Sequence, residues 1–147
     1  MLPGTAEVWT QPASAPANSK EDIMFDHISI GVRDIAKAKA FYDAALKPLG
    51  LTRLSSDETS LGYGKEGVGL WILKAEHPVA GDPKSGLHFC FVAPSQDSVK
   101  AFHAAALKHG GRDNGKPGGR KDYSPHYYAA FVFDPEGYRL EAHHEEK

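Results

Sequence analysis

HISIGVRDIAKAKAFYDAALK, residues 27–47, and HFCFVAPSQDSVKAFHAAALK, residues 88–108, are two copies of one pattern. His27 matches His88, Lys39-Ala40-Phe41 matches Lys100-Ala101-Phe102, and Ala45-Leu46-Lys47 matches Ala106-Leu107-Lys108, each pair 61 positions apart without a gap. A His, a Phe and a Leu repeating in one register mark a duplicated structural unit, and such a unit organises the whole chain.

Each copy opens on alternation. Ile28, Ile30 and Val32 fall on one face of a strand, as Phe89 and Phe91 do in the second copy. A helix follows in each. Asp34 is placed to cap the first, whose Ile35, Ala38, Phe41, Tyr42, Ala45 and Leu49 recur at helical spacing. Ser95 is placed to cap the second, with Val99, Phe102 and Ala106 as its stripe and Gly110-Gly111 as its stop. Shorter strand patterns come next: Leu51–Leu54, Ser60–Tyr63 and Val68–Leu73 in the first half. In the second half they are a weak strand near Arg112, then Tyr127–Phe133 and Tyr138–His143, joined by the turn Asp134-Pro135-Glu136-Gly137. The reading is two β-α-β-β-β modules, about residues 25–73 and 86–144. The linker Lys74–Gly86, with two prolines and two glycines, is the expected break between them. Asp113–Pro125, rich in glycine and carrying Lys116, Arg120 and Lys121, reads as a mobile basic loop.

A chain of 147 residues is one ordinary domain. Seventeen Lys and Arg against nineteen Asp and Glu leave a net charge of −2, without the basic surplus that nucleic-acid binding requires. A hydrophobic share of 41% and a charged share of 24% are globular values. No apolar run is long enough for a membrane span, and the single cysteine excludes an internal disulfide. A soluble cytoplasmic protein is expected. Residues 1–23, with Pro3, Pro12 and Pro16 and no apolar periodicity, are expected to be a poorly ordered extension without a secretory signal, ahead of one domain over 24–147. His143–Lys147 reads as a solvated tail.

Strand parity locates the chemistry. If Ile28 and Ile30 pack on the helix, His27 points to the other face; His88 does the same opposite Phe89 and Phe91. In the last strand Arg139, Glu141 and His143 share that non-helical face. Two imidazoles and a carboxylate can hold a divalent ion and leave positions open for a ligand. Each residue alone has an ordinary reading, a satisfied strand histidine or a solvated glutamate; the repeat symmetry and shared parity favour the metal. No Gly-rich phosphate loop and no G-x-S-x-G elbow is present.

The paired modules, the opening Asp26-His27-Ile28-Ser29-Ile30 and the closing Phe133-Asp134-Pro135-Glu136-Gly137-Tyr138-Arg139-Leu140-Glu141 resemble the vicinal oxygen chelate superfamily. That group takes in glyoxalase I, extradiol dioxygenases, fosfomycin-resistance enzymes and bleomycin-resistance proteins. The resemblance runs from about Phe25 to His144. It implies an α+β fold in which two paired β-α-β-β-β modules form a cupped mixed sheet with helices outside. It also implies His27, His88 and Glu141 as ligands of Zn, Fe, Mn, Ni or Co, and a homodimer whose sites mix ligands from both subunits. Aligning Glu136–Glu141 on Glu66–Trp71 puts Trp71 where glyoxalase I carries a fourth, carboxylate ligand. The three-ligand pattern is similar to extradiol dioxygenases and fosfomycin-resistance enzymes.

Other residues carry smaller expectations. Cys90 shares the face of His88, as a cavity residue or as a small strand residue. Tyr63 and Trp71 are candidates to stack on a substrate, or are packing. Tyr123, His126 and Tyr127, with Tyr128 beside them, are candidate acids or bases next to the basic loop. Arg120 and Lys121 would hold an anionic substrate or only solvate the loop; His77, His103 and His109 receive no role. Two functions remain in view: a metal-dependent enzyme acting on a small oxygenated molecule, with lyase or isomerase, transferase or dioxygenase chemistry, or a metal-free protein that sequesters a small ligand as bleomycin-resistance proteins do. Neither reading involves nucleic acid or a membrane.

Overall fold

The computed structural model describes residues 23–146. The extension expected over residues 1–23 lies outside them except for Ile23. The chain runs β1 (Ile28–Val32), α1 (Ile35–Leu46), a single 3-10 turn (Lys47–Leu49), β2 (Thr52–Ser56), β3 (Ser60–Gly64) and β4 (Val68–Lys74). It repeats as β5 (His88–Val92), α2 (Gln96–Lys108), β6 (Arg112–Gly119), β7 (Tyr127–Phe133) and β8 (Arg139–Glu145). The strand orders are β1-β4-β3-β2 and β5-β8-β7-β6, with the first pair of each parallel and the rest antiparallel. The fold is therefore α+β, built from two four-stranded mixed sheets of identical topology.

The repeat holds to the residue. Ile28 sits beside Leu70 and Ser29 beside Trp71; Phe89 sits beside Leu140 and Cys90 beside Glu141. Trp71 thus occupies in the first sheet the place that Glu141 occupies in the second.

Both helices start as the sequence dictates. The Asp34 side chain accepts from Lys37 N and the Ser95 side chain from Ser98 N, each at 3.0 Å, satisfying donors that helix geometry leaves orphaned. Phe41, Tyr42, Ala45 and Leu46 of α1 meet Val99, Phe102 and Ala106 of α2 in one continuous core, and the two helices pack on each other as well as on their sheets. Gly111 ends the second helical segment under this contact: a Cβ there would lie 2.7 Å from the Phe41 ring.

A polar latch ties the modules together. Asp134 is 2% exposed; its Oδ2 accepts from the Tyr42 hydroxyl at 2.5 Å, and its Oδ1 accepts from Glu136 N and Tyr138 N at 2.9 and 2.8 Å. The Tyr138 hydroxyl donates to Gly31 O at 2.6 Å, and Arg33 Nη1 to Glu136 Oε1 at 2.7 Å. The closing turn of the second module is thereby fastened to the β1–α1 corner of the first.

The linker falls where the glycines and prolines put it, and it lies against this turn. A Cβ on Gly81 would stand 2.6 Å from the Gly137 carbonyl carbon and 2.8 Å from Glu136 O. Gly81→Ala is expected to cost about 1–3 kcal/mol through this overpacking, seen as a lower urea midpoint at unchanged m.

Two expectations are corrected. Residues 113–119 are not a loop but most of β6, an eight-residue edge strand paired with β7. Irregularities between Asp113 and Gly115 and between Gly115 and Gly118 absorb Gly115 (φ 153°) and Pro117, whose missing N–H is tolerated at an edge. The supposed tail begins later than expected, because β8 continues to Glu145 and His143 pairs with Ala129.

Candidate metal and substrate site

The open face of the second sheet gathers the candidate chemistry. His88 opens β5 and Glu141 lies mid-β8, the adjacent parallel strand. Alternation lifts both to the face away from α2, and His88 Nε2 stands 3.1 Å from Glu141 Oε2. The glutamate side chain is 4% exposed and the histidine 46%, so the carboxylate is a buried floor beneath an accessible imidazole. From β7 the Tyr127 hydroxyl donates to Glu141 Oε1 at 2.5 Å, leaving both carboxylate oxygens engaged.

These groups open on a cavity of about 310 Å³ lined by His88, Asn114, Tyr123, Tyr127, Phe131, Arg139 and Glu141. Tyr127 stacks on the His143 ring with centroids 3.8 Å apart, and Tyr123 meets Tyr127 edge-on at 5.1 Å. His143 Nε2 is buried without a hydrogen-bond partner among the described residues. Burial, then the Glu141 hydrogen bond, raises the Tyr127 phenol, which stays protonated near neutrality. Burial and the Glu141 carboxylate push the Cys90 thiol up to about 12, so it is a neutral neighbour of this cluster and not a thiolate nucleophile.

The donor chemistry suits a divalent cation: an imidazole nitrogen and a carboxylate oxygen from neighbouring strands already face one another. They make two ligands. Among the described residues no three His, Cys, Asp or Glu side chains converge on one point. His27 is not among the residues lining the His88–Glu141 cavity; its Nδ1 lies 2.7 Å from Asp26 Oδ1, and its side chain is half exposed.

The other expected residues divide. Tyr127 and Tyr123 line the cavity, whereas His126 is an exposed loop residue outside it. Tyr63 alternates onto the α1 side, is 1% exposed and donates to Asp43 Oδ1 at 2.8 Å, and it also borders a separate recess lined by Leu70, Phe89 and Phe91. Trp71 lies on the opposite face, its ring over Gly62, where a Cβ would come within 2.9 Å of Cζ3. Arg120 lies outside this cavity. Its Nη2 donates to Lys116 O at 2.7 Å and its guanidinium lies over the Phe131 ring at 5.4 Å, so it is held against its own hairpin. His103, given no role from sequence, is 8% exposed and ties α2 to β6 through Asp113 at 2.9 Å. Its position one residue after Phe102 in the buried stripe could have revealed it.

Two β-α-β-β-β modules of one topology, the second carrying a histidine on its first strand and a carboxylate on its last, define a class of paired-module folds. The chain belongs to the Glyoxalase/Bleomycin resistance protein/Dioxygenase superfamily, whose family model matches residues 24–142. A glyoxalase/bleomycin resistance protein from Albidiferax ferrireducens T118 is 31% identical, with a TM-score of 0.72 over 84% of this chain and 100% of that one. The fosfomycin resistance protein FosX from Listeria monocytogenes shares the fold at 16% identity and TM-score 0.59, covering 81% of this chain and 90% of its own. FosX from Mesorhizobium loti does so at 15% and 0.61, covering 83% and 92%. No curated protein matches the chain.

Proposed function

We propose that the chain is a metal-dependent enzyme acting on a small molecule with two neighbouring oxygen atoms. The reaction is of the lyase or isomerase (lactoylglutathione-lyase-like), transferase or dioxygenase type. The observation that carries this reading is the His88–Glu141 pair, 3.1 Å apart at the base of an open cavity and braced by Tyr127.

His88 and Glu141 would hold the ion, Zn, Fe, Mn, Ni or Co, and the third ligand would be His27 of a second copy in a homodimer. The duplication supports that assembly, because His27 immediately precedes β1 at the repeat position that His88 occupies at the start of β5. A bound ion supplies Lewis acidity to an oxyanion developing on the substrate. Tyr127 is a positioning residue: its protonated hydroxyl fixes one Glu141 oxygen, as outer hydrogen bonds commonly orient metal ligands. Trp71 would enter from the partner sheet as a substrate wall, leaving no fourth carboxylate. The single free cysteine accords with a cytoplasmic location; among the described residues no helix is long and apolar enough to cross a membrane.

A second reading, metal-free binding of a small molecule in the manner of bleomycin-resistance proteins, rests on an apolar recess of about 990 Å³ lined in part by Ile28, Leu51, Leu70, Phe89 and Phe91. Elemental analysis of untagged protein separates the two. About one transition metal per chain is expected, falling at least tenfold in Glu141→Gln, since loss of one of three ligands is severe. Equal occupancy in both proteins, or none after reconstitution, would move the function to the second reading.

A further inference from the structure

We infer that Arg139 sets the substrate class of this site, by receiving the carboxylate of a small 2-oxygenated acid whose neighbouring oxygen lies at His88 and Glu141. This deepens the proposed function and rests on it for what occupies His88 and Glu141.

The sequence has five arginines. Arg33 is paired with Glu136 and Arg53 with Asp43; Arg112 lies over Phe133, and Arg120 is spent on Lys116 O and Phe131. Arg139 alone lines the cavity. Its Nε donates to Leu87 O at 3.0 Å, which fixes the guanidinium plane, while its terminal nitrogens have no hydrogen-bond or ion-pair partner among the described residues. The carboxylate nearest along its strand, Glu141, already has Oε1 on Tyr127 and Oε2 near His88.

A guanidinium on a cavity wall, held by one hydrogen bond and with its terminal N–H groups open to the cavity, presents a planar fork, and a bidentate oxyanion is the group that matches it. Register then supplies the distance. Arg139 is the direct cross-strand neighbour of His88 in the parallel β5–β8 pair, so the two side chains rise together from strands roughly 5 Å apart. A carboxylate held at Arg139 places the adjacent carbon and its oxygen over His88 and Glu141. Asn114 adds a neutral polar group, and Phe131 with Tyr123 offers flat walls that suit a ring.

The probes are mandelate and its uncharged amide, mandelamide, titrated into the full chain and followed by ligand-observed NMR, with and without added zinc. Zinc binding is measured by calorimetry on the same samples. Wild type is expected to bind mandelate roughly tenfold tighter than mandelamide. Arg139→Gln should abolish that ratio while leaving mandelamide within about twofold, and Arg139→Lys should keep part of it, because the charge survives without the fork. Equal binding of acid and amide by wild type, no binding of either, an acid preference surviving in Arg139→Gln, or parallel weakening of both probes in that variant each overturns the inference. The metal reading fails separately, by absence of zinc binding in wild type; the acid-to-amide ratio measured without zinc still decides the role of Arg139.

Discussion

Protein refolded from an equimolar mixture of His27→Ala and Glu141→Ala chains is expected to bind metal that neither variant holds alone. The reason lies in the geometry of one chain. His88 and Glu141 meet on the second sheet, while His27 stands apart from their cavity with Asp26 as its partner. In a twofold dimer that supplies His27 from the other subunit, a mixed dimer has one site with both lesions and one site with none. Random pairing makes half of the dimers mixed, so metal content should recover to about a quarter of wild type. A site assembled within one chain would recover nothing, because every chain in the mixture is defective. His27 is half exposed and its replacement should scarcely alter folding, whereas Glu141 is buried with two partners. Thermal melts of both variants establish that the mixture contains folded chains. Zero recovery from folded material would sink the shared site.

The largest effect on stability is expected at Asp134, in the latch between the modules. Asp134→Ala strands the buried Tyr42 hydroxyl and two backbone N–H groups, and should cost about 3–5 kcal/mol. Asp134→Asn keeps an acceptor for the backbone and a donor toward Tyr42, and should cost far less. Their pH dependence separates charge from shape. Burial raises the Asp134 carboxyl above the ordinary carboxylate range, against the opposing effect of the Tyr42 and backbone hydrogen bonds. An acid with a raised folded-state pKa contributes stability that is fully present below its unfolded value and is lost as pH rises through the folded value. Wild type should therefore lose stability relative to Asp134→Asn on going upward from about pH 4, measured by urea unfolding at a series of pH values. A difference that is flat with pH, or that grows in favour of wild type, would contradict the burial argument.

What the sequence discloses and what it hides follow one physical division. Period and parity are local, and they are legible. The 61-residue repeat predicted two modules of one topology, and alternation correctly set His88, Cys90 and Glu141 on one face of β5 and β8. Parity also puts Arg139 on that face, yet nothing local says that its terminal nitrogens find no partner among the described residues. The latch from Tyr42 to Asp134 spans 92 residues and exists only once the modules pack. The same holds for His27: parity gives the face on which a side chain stands, never which other face it meets. The error over β6 has another origin. Glycine and proline predict a loop, but an edge strand needs pairing on one side only, and β7 supplies it.

That edge has a consequence for how the protein behaves in crowded solution. An open strand is a template on which other chains can grow, and long flat edges seed aggregates. In β6 the outer rim is interrupted by Pro117 and kinked by bulges on either side of Gly115, with Lys116 carrying charge between them. A foreign strand laid against it would lose its register within a few residues. The composition that hides the strand from a reader of the sequence also hides it from other polypeptides.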